Sequence, residues 1–212
     1  MLRVIEVFTS IQGESTQAGR KCFFIRLEKC NLSCVYCDTT YAASGGYSAG
    51  VEELVSEAEK SGVDLVEITG GEPLLQEDTP ALCRALLAAG FEVMIETNGS
   101  LSIKDIPAEV RRIVDCKLPD SGMSEYMLAE NYDLLTPRDE VKFVVSSQRD
   151  FDYAVEVCRR YDLFAKTPNL LVSPVWGKYE FKELAQWVID CELPLRLQLQ
   201  FHKIIWGDMP GV

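Results

Sequence analysis

Histidine is almost missing from this 212-residue chain, with His202 the single example. Positive charge is also short: 21 lysines and arginines stand against 33 aspartates and glutamates, a formal net charge of -12. That balance opposes a broad basic patch for a nucleic-acid backbone and points to a small-molecule substrate. No apolar run approaches the roughly 18 to 20 residues that cross a bilayer. The opening MLRVIEVF lacks the basic-then-apolar layout of a signal peptide. The chain is therefore expected in the cytoplasm and away from the membrane. No linker rich in Pro, Gly or Ser and no internal repeat divides it, and 47% hydrophobic content is enough for one substantial core. Residues 1–212 are read as a single domain.

Cysteine, by contrast, is plentiful, with eight in the chain. A cytoplasmic compartment keeps thiols reduced, so a disulfide framework is not expected. Cys22, Cys83, Cys116, Cys158 and Cys191 are scattered singly, mostly among apolar neighbours, and read as small core residues. Cys30, Cys34 and Cys37 differ: they sit in polar, turn-prone sequence, KCNLSCVYCDTT, at spacing C-x3-C-x2-C. Thiolates at this spacing suit zinc or an iron–sulfur cluster. A zinc site wants a fourth cysteine or histidine nearby, and His202 is far along the chain. A four-iron cubane held by three cysteines leaves one iron open to a substrate or cofactor.

Strand-like runs recur at 2–8, 22–27, 64–69, 91–97, 112–118, 140–145, 169–173 and 194–200, with helical patterns at 51–60, 79–89, about 150–161 and 180–190. Strand then helix, repeated, predicts an α/β fold with a mostly parallel sheet and helical crossovers. A closed eight-fold barrel needs about 250 residues, so the choice is a partial, open barrel or a doubly wound sheet. The polar stretch 119–139 reads as an ordered excursion or a lid. In parallel α/β folds ligands sit at the C-terminal ends of strands. Cys30 follows CFFIRL, Thr69-Gly70-Gly71-Glu72-Pro73 follows DLVEIT, and Glu96-Thr97-Asn98-Gly99 ends FEVMIET, so three motifs fall on one rim. Taken alone, GGEP and Ser10-Ile11-Gln12-Gly13-Glu14 are turns. Arg26 is a charge inside an apolar strand, which needs a partner: either a structural ion pair or a bound carboxylate. His202 alone reads as a core or surface histidine.

Taken together, C-x3-C-x2-C, Gly70-Gly71-Glu72-Pro73 and Glu96-Thr97-Asn98-Gly99 resemble the radical S-adenosylmethionine superfamily. EVFTSIQGES (6–15), FIRLEKCNLSCVYCDTTYA (24–42), ITGGEPLLQ (68–76), IETNGS (95–100) and LQLQFHK (197–203) narrow the resemblance to the 7-carboxy-7-deazaguanine synthases. The resemblance implies an incomplete β/α barrel of the radical S-adenosylmethionine type. It implies a lyase that converts 6-carboxy-5,6,7,8-tetrahydropterin to 7-carboxy-7-deazaguanine with loss of ammonia, in queuosine and deazapurine biosynthesis.

Carried over by position, the resemblance gives Cys30, Cys34 and Cys37 to a 4Fe-4S cluster and Thr39 to Mg2+. S-adenosylmethionine would lie against Tyr36, Cys37, Asp38 and Gly71, with Asp115, Cys116, Lys117 and the loop Ser173, Pro174, Val175, Trp176 closing over it. Ile11, Gln12, Gly13, Arg26 and Thr69 would hold the pterin and its carboxylate. Glu14, Glu96 and His202 would contact the pterin or move protons. A flavodoxin or ferredoxin would donate the electron, and the assembly would be a homodimer. The chain departs from the pattern at Asp115-Cys116-Lys117, where relatives read Ser-Pro-Lys, and at Phe201, where a threonine often precedes the histidine. The tail IIWGDMPGV would fold over the site and present the Val212 carboxylate. Two other readings are a glycyl-radical enzyme activase and a metal-binding electron-transfer protein.

Overall fold

The structure, a computed structural model, describes residues 1–178, 180–209 and 211. The expected Val212 carboxylate therefore lies outside the described residues. Strands β1 (Leu2–Ile11) and β2 (Lys21–Leu27) form an antiparallel pair, and β3 (Tyr47–Ala49) adds antiparallel to the outer edge of β1. From β2 onward every pairing is parallel, through β4 (Leu65–Gly70), β5 (Glu92–Thr97), β6 (Arg111–Asp115), β7 (Glu140–Val145), β8 (Leu170–Pro174) and β9 (Arg196–Leu197). Helices α1 (Val51–Ser61), α2 (Thr79–Ala88), α3 (Gln148–Arg160) with the short α4 (Leu163–Lys166), and α5 (Phe181–Asp190) lie in the connections, and α6 (Phe201–Trp206) follows β9.

The strand order β3-β1-β2-β4-β5-β6-β7-β8-β9 decides between the two expected architectures. A doubly wound sheet reverses direction at a switch point. Here the parallel strands advance one way and leave β3 and β9 as edges, so the sheet is an open, incomplete barrel.

Two apolar clusters fasten the helices to one face of this sheet. Ile25, Leu27, Val66, Ile68 and Ile95 pack with Leu54, Leu82 and Leu86 of α1 and α2. Val114, Val141, Phe143 and Val172 pack with Phe151, Ala154 and Leu184 of α3 and α5. Side chains alternate across a strand, so the residues between these face the other way. Low on that inner face, Cys22, Phe24, Leu65, Met94 and Ile113 form a small apolar plug.

Some expected elements differ. The run 194–200 yields a two-residue β9, because the chain turns into α6, where the Phe201 amide donates to the Gly13 carbonyl at 2.9 Å. The stretch 119–139 is an ordered excursion of three short 3-10 turns and not a lid. It buries Tyr132 and Leu135 in the second cluster, and Asn131 donates to the Gly99 and Leu101 carbonyls. None of its residues lines the cavity described below.

Glu28, immediately after β2, ties the start of the cysteine loop to the sheet edge. It accepts from Arg3 Nε at 2.9 Å and from the Gly46 amide at 2.7 Å. The Arg3 hydrogen bond, followed by the Gly46 amide, pulls its carboxyl down to about 2. A glutamate whose folded value lies below its unfolded value of about 4.3 stabilises the protein fully above that value, and the contribution fades as pH falls through the folded one. Glu28→Gln is therefore expected to be less stable than the parent near neutral pH. In urea melts the difference should shrink below about pH 4 and close toward about pH 2.

Candidate active site

The inner face changes character one step above the apolar plug. The same alternation that places Phe24 inward places Arg26 inward, and Leu65, Met94 and Ile113 are followed in the same way by Glu67, Glu96 and Asp115, with Lys142 beside Asp115 on β7. These side chains form the wall of a cavity of about 1120 Å³, roofed by the loop that carries the three cysteines. Ile11, Gln12, Gly13 and Glu14 reach it from the end of β1, Thr69 and Gly71 from the end of β4, Lys117 from beyond β6, Val175 and Trp176 from beyond β8, and His202 from α6. Tyr36, Asp38 and Thr39 line the roof beside Cys30, Cys34 and Cys37.

Three expected contacts do not reach the cavity. Cys116 points into the second apolar cluster, its amide donates to the Lys142 carbonyl at 2.8 Å, and burial pushes its thiol up to about 12. Ser173 and Pro174 are buried within β8, paired with Val144 and Val145 of β7, and the chain meets the cavity only from Val175. Of the two alternatives for Arg26, the ion pair is present: Nε donates to Glu6 at 2.8 Å, the guanidinium lies near the Phe8 and Tyr41 rings, and the residue lines the cavity.

The GGEP and ETNG turns are one construction. Buried Glu72 accepts from the Leu74 amide (2.9 Å), the Thr97 hydroxyl (2.8 Å) and the Asn98 amide (2.6 Å). Asn98 in turn donates to Asn31 at 3.0 Å and approaches Cys30 Sγ at 3.6 Å. Gly71 donates to the Leu27 carbonyl and Glu72 to the Lys29 carbonyl, stitching the turn to the first residues of the cysteine loop. At Gly71 a Cβ would overlap the Lys29 carbonyl, so only glycine allows this approach.

The electrostatics centre on Lys142 and Glu67, which the motifs did not single out. Lys142, 6% exposed, donates to Glu96, lies 3.0 Å from Glu14 Oε2 and stands 3.6 Å from Asp115 Oδ1. Burial alone would strip its proton, but Asp115, Glu14 and Glu96 outweigh burial and hold it charged. Burial would likewise raise Glu14, yet Lys142, then His202, brings it below the usual carboxylate range. Glu67 is the opposite case: burial, then Glu96, drives it well above that range, and Gln12 donates to it. Burial also lowers His202, which favours the neutral imidazole at neutral pH. The signal that singles out Arg26, a charge inside an apolar strand, is present equally in DLVEIT for Glu67 and EVKFVV for Lys142.

The donor set fits an iron–sulfur cluster with an open iron. All eight cysteines are free thiols, and the three in question are exposed or half-buried on the cavity roof. Among the described residues no three His, Cys, Asp or Glu side chains converge as ligands of one metal ion. A cubane does not ask for that, because each cysteine holds a different iron. Cys30 Sγ already faces donors, the Leu32 amide at 3.5 Å and Asn98 Nδ2. Asp115 Oδ1 is buried, accepts no hydrogen bond among the described residues and faces the Lys142 ammonium at 3.6 Å.

The family profile described as Radical SAM superfamily matches residues 24–188, from β2 through α5, and so covers both the cysteine loop and the parallel sheet. The fold and site are those of a radical S-adenosylmethionine enzyme, which works with a 4Fe-4S cluster and S-adenosylmethionine. The sheet also matches the solved structure titled "Crystal structure of QueE from Escherichia coli", with a TM-score of 0.76 at 23% identity over 95% of this chain and 94% of that one. Among curated relatives, the 7-carboxy-7-deazaguanine synthase of Koribacter versatilis is 40% identical over 97% of each chain. That of Thermoplasma acidophilum is 34% identical over 99% of each. The chain belongs to the 7-carboxy-7-deazaguanine synthase family.

Replacing Glu72 tests the turn construction. Glu72→Leu strands two buried amides and a hydroxyl, at about 1–3 kcal/mol for each unsatisfied group. Denaturant melts of the anaerobically purified protein should show a loss of several kcal/mol, with Glu72→Gln, which keeps one acceptor oxygen, losing less.

Proposed function

We propose that the enzyme converts 6-carboxy-5,6,7,8-tetrahydropterin to 7-carboxy-7-deazaguanine and ammonia as a single-domain protein. The observation that supports this reading is the confrontation within one cavity of the cysteine loop with a mixed-sign wall: Arg26, Gln12, Glu14, Thr69 and Glu96. A pterin carboxylate is answered by a guanidinium. The amide and amine edge of the pterin is answered by carboxylate and carboxamide oxygens. Loss of ammonia in this conversion is redox-neutral, so no net oxidant is needed.

Cys30, Cys34 and Cys37 would hold the cluster, and when bound the cluster and S-adenosylmethionine supply a regenerable 5'-deoxyadenosyl radical. The chain's own work is placement. Tyr36, fixed by its hydroxyl donating to the Val144 carbonyl at 3.1 Å, would flank S-adenosylmethionine with Asp38, Gly71, Asp115, Lys117, Val175 and Trp176. Ile11 and Gly13 close the pterin end, where a Cβ on Gly13 would overlap the His202 ring. Glu67, driven toward its protonated form, and neutral His202 are groups able to give or take a proton beside the ring. Thr39, whose hydroxyl donates to Asp38 at 2.9 Å and keeps its lone pairs for a cation, would take Mg2+ together with the substrate carboxylate and water. No described helix is long and apolar enough to cross a membrane. A cytoplasmic location, a homodimer and a flavodoxin or ferredoxin donor complete the reading and rest on the family resemblance.

Reconstituted anaerobically with iron and sulfide and given the tetrahydropterin, S-adenosylmethionine, Mg2+ and a reductant, the enzyme should yield 7-carboxy-7-deazaguanine by mass spectrometry. S-adenosylmethionine should be recovered; its stoichiometric consumption during productive turnover would overturn the reading. Thr39→Ala should lower kcat/KM by at least about tenfold, roughly 1.4 kcal/mol of transition-state stabilisation. The response of the reduced cluster's paramagnetic spectrum to S-adenosylmethionine should be unchanged.

A further inference from the structure

Lys142 sits where three carboxylates from three different segments meet. Glu14 comes from the turn after β1, Glu96 from the end of β5 and Asp115 from the end of β6, and Lys142 Nζ reaches all three. Glu14 is held from its other side by Gln200 Nε2 at 2.8 Å, so its two oxygens are fixed by two donors. Glu96 has Lys142 as its ion-pair partner, and both carboxylates line the cavity. We propose that Lys142 is the positioning residue of this site, holding Glu14 and Glu96 as fixed, ionised acceptors for the donor edge of the pterin ring. The proposal rests on the reading of the substrate as a pterin.

The physical argument is one of charge crowding. Burial lifts Glu96, and Lys142 is the foremost group opposing that lift; two carboxylates close together in a largely buried site cannot both stay ionised unless a cation lies beside them. The other groups facing this point are Asp115, Lys117, Glu67 and His202. Lys117 is engaged with Asp115 at 2.5 Å, Glu67 is driven toward its neutral form, and His202 is pushed toward neutrality by burial. None of them replaces the ammonium. Without it, Glu14 and Glu96 would share a proton, and a pterin N–H would meet an O–H in place of an acceptor. Lys142 also has to reach the cavity from the sheet wall, which only a long unbranched side chain on the inward parity of β7 does.

The test uses the reconstituted holoenzyme and 6-carboxypterin, the fluorescent oxidised form of the substrate, as a binding probe. Lys142→Met should weaken 6-carboxypterin binding at least about tenfold near pH 7. Part of the loss should return toward about pH 9, as the crowded carboxylates give up their shared proton. Lys142→Arg, which keeps the charge, should bind within a few fold of the parent. Both variants should keep the parent's paramagnetic response to S-adenosylmethionine. Should Lys142→Met fail to fold, Glu96→Gln/Lys142→Met, which removes one negative charge along with the positive one, is measured against Glu96→Gln. There the lysine change should cost less than about threefold, since the crowding it relieves is gone. Equal loss in the Met and Arg variants with no pH dependence, or parent-like binding in Lys142→Met, would overturn the proposal. An undiminished lysine effect in the Glu96→Gln background would overturn it as well. A parent enzyme that responds to S-adenosylmethionine but neither binds 6-carboxypterin nor converts the tetrahydropterin would instead overturn the substrate reading.

Discussion

A charge inside a sheet must be answered by another charge or lose its ionisation, and the inner face of this barrel is organised around that constraint. Arg26, Glu67, Glu96, Asp115 and Lys142 occupy the same parity on five adjacent strands, directly above an apolar plug. Removing any one of them changes the balance for the rest, because these side chains are largely buried and screening between them is weak. The apolar plug is part of the same arrangement. It supplies the dry floor that makes each opposite charge above it matter.

The wall sorts its carboxylates into two states although all are similarly enclosed. Glu14 and Asp115 lie against lysines and end below the usual carboxylate range, whereas burial, then Glu96, drives Glu67 well above it, and burial leaves Glu96 above it although Lys142 opposes. A single cavity thus presents, side by side, carboxyl groups shifted in opposite directions. Pushing carboxyl groups apart in this way is how one site holds both members of an acid–base pair.

Much of this was legible in the sequence, and the limits are physical. The parallel sheet followed from repeated strand–helix alternation, and the rim position of three motifs followed from where strands such as FEVMIET end. Open against doubly wound came from the family resemblance and not from the strand–helix pattern, because strand order is a tertiary property. PLRLQLQ reads as a strand by propensity, yet the sheet runs out of partners after Arg196–Leu197 and the chain is claimed by α6 against Gly13. Lys142 and Glu67 carried a usable signal, the same one as Arg26. Their importance depends on which neighbours share their face, and register alone decides that. Cys116 shows the converse: it borders two cavity residues in sequence, and alternation turns it into the core.

The cysteine loop itself has little core of its own: Cys30 and Cys37 are exposed, and Leu32 and Ala42 are its buried apolar residues. Its order is borrowed from backbone contacts with the sheet. Lys29 donates to Ala42 and accepts from Glu72, and the Glu72 carboxylate holds the Thr97-Asn98 turn whose side chain returns to Asn31 and Cys30. The path therefore runs from the cysteine loop through GGEP to ETNG and back, a closed circuit of hydrogen bonds crossing three strand ends. Such a circuit fixes the start of the cysteine loop relative to the wall, and it meets a cysteine sulfur where Asn98 Nδ2 approaches Cys30 Sγ at 3.6 Å. GGEP, taken alone, is only a turn. Closed through Asn98 onto Cys30, it sets the distance between the cysteine loop and the charged wall of the cavity.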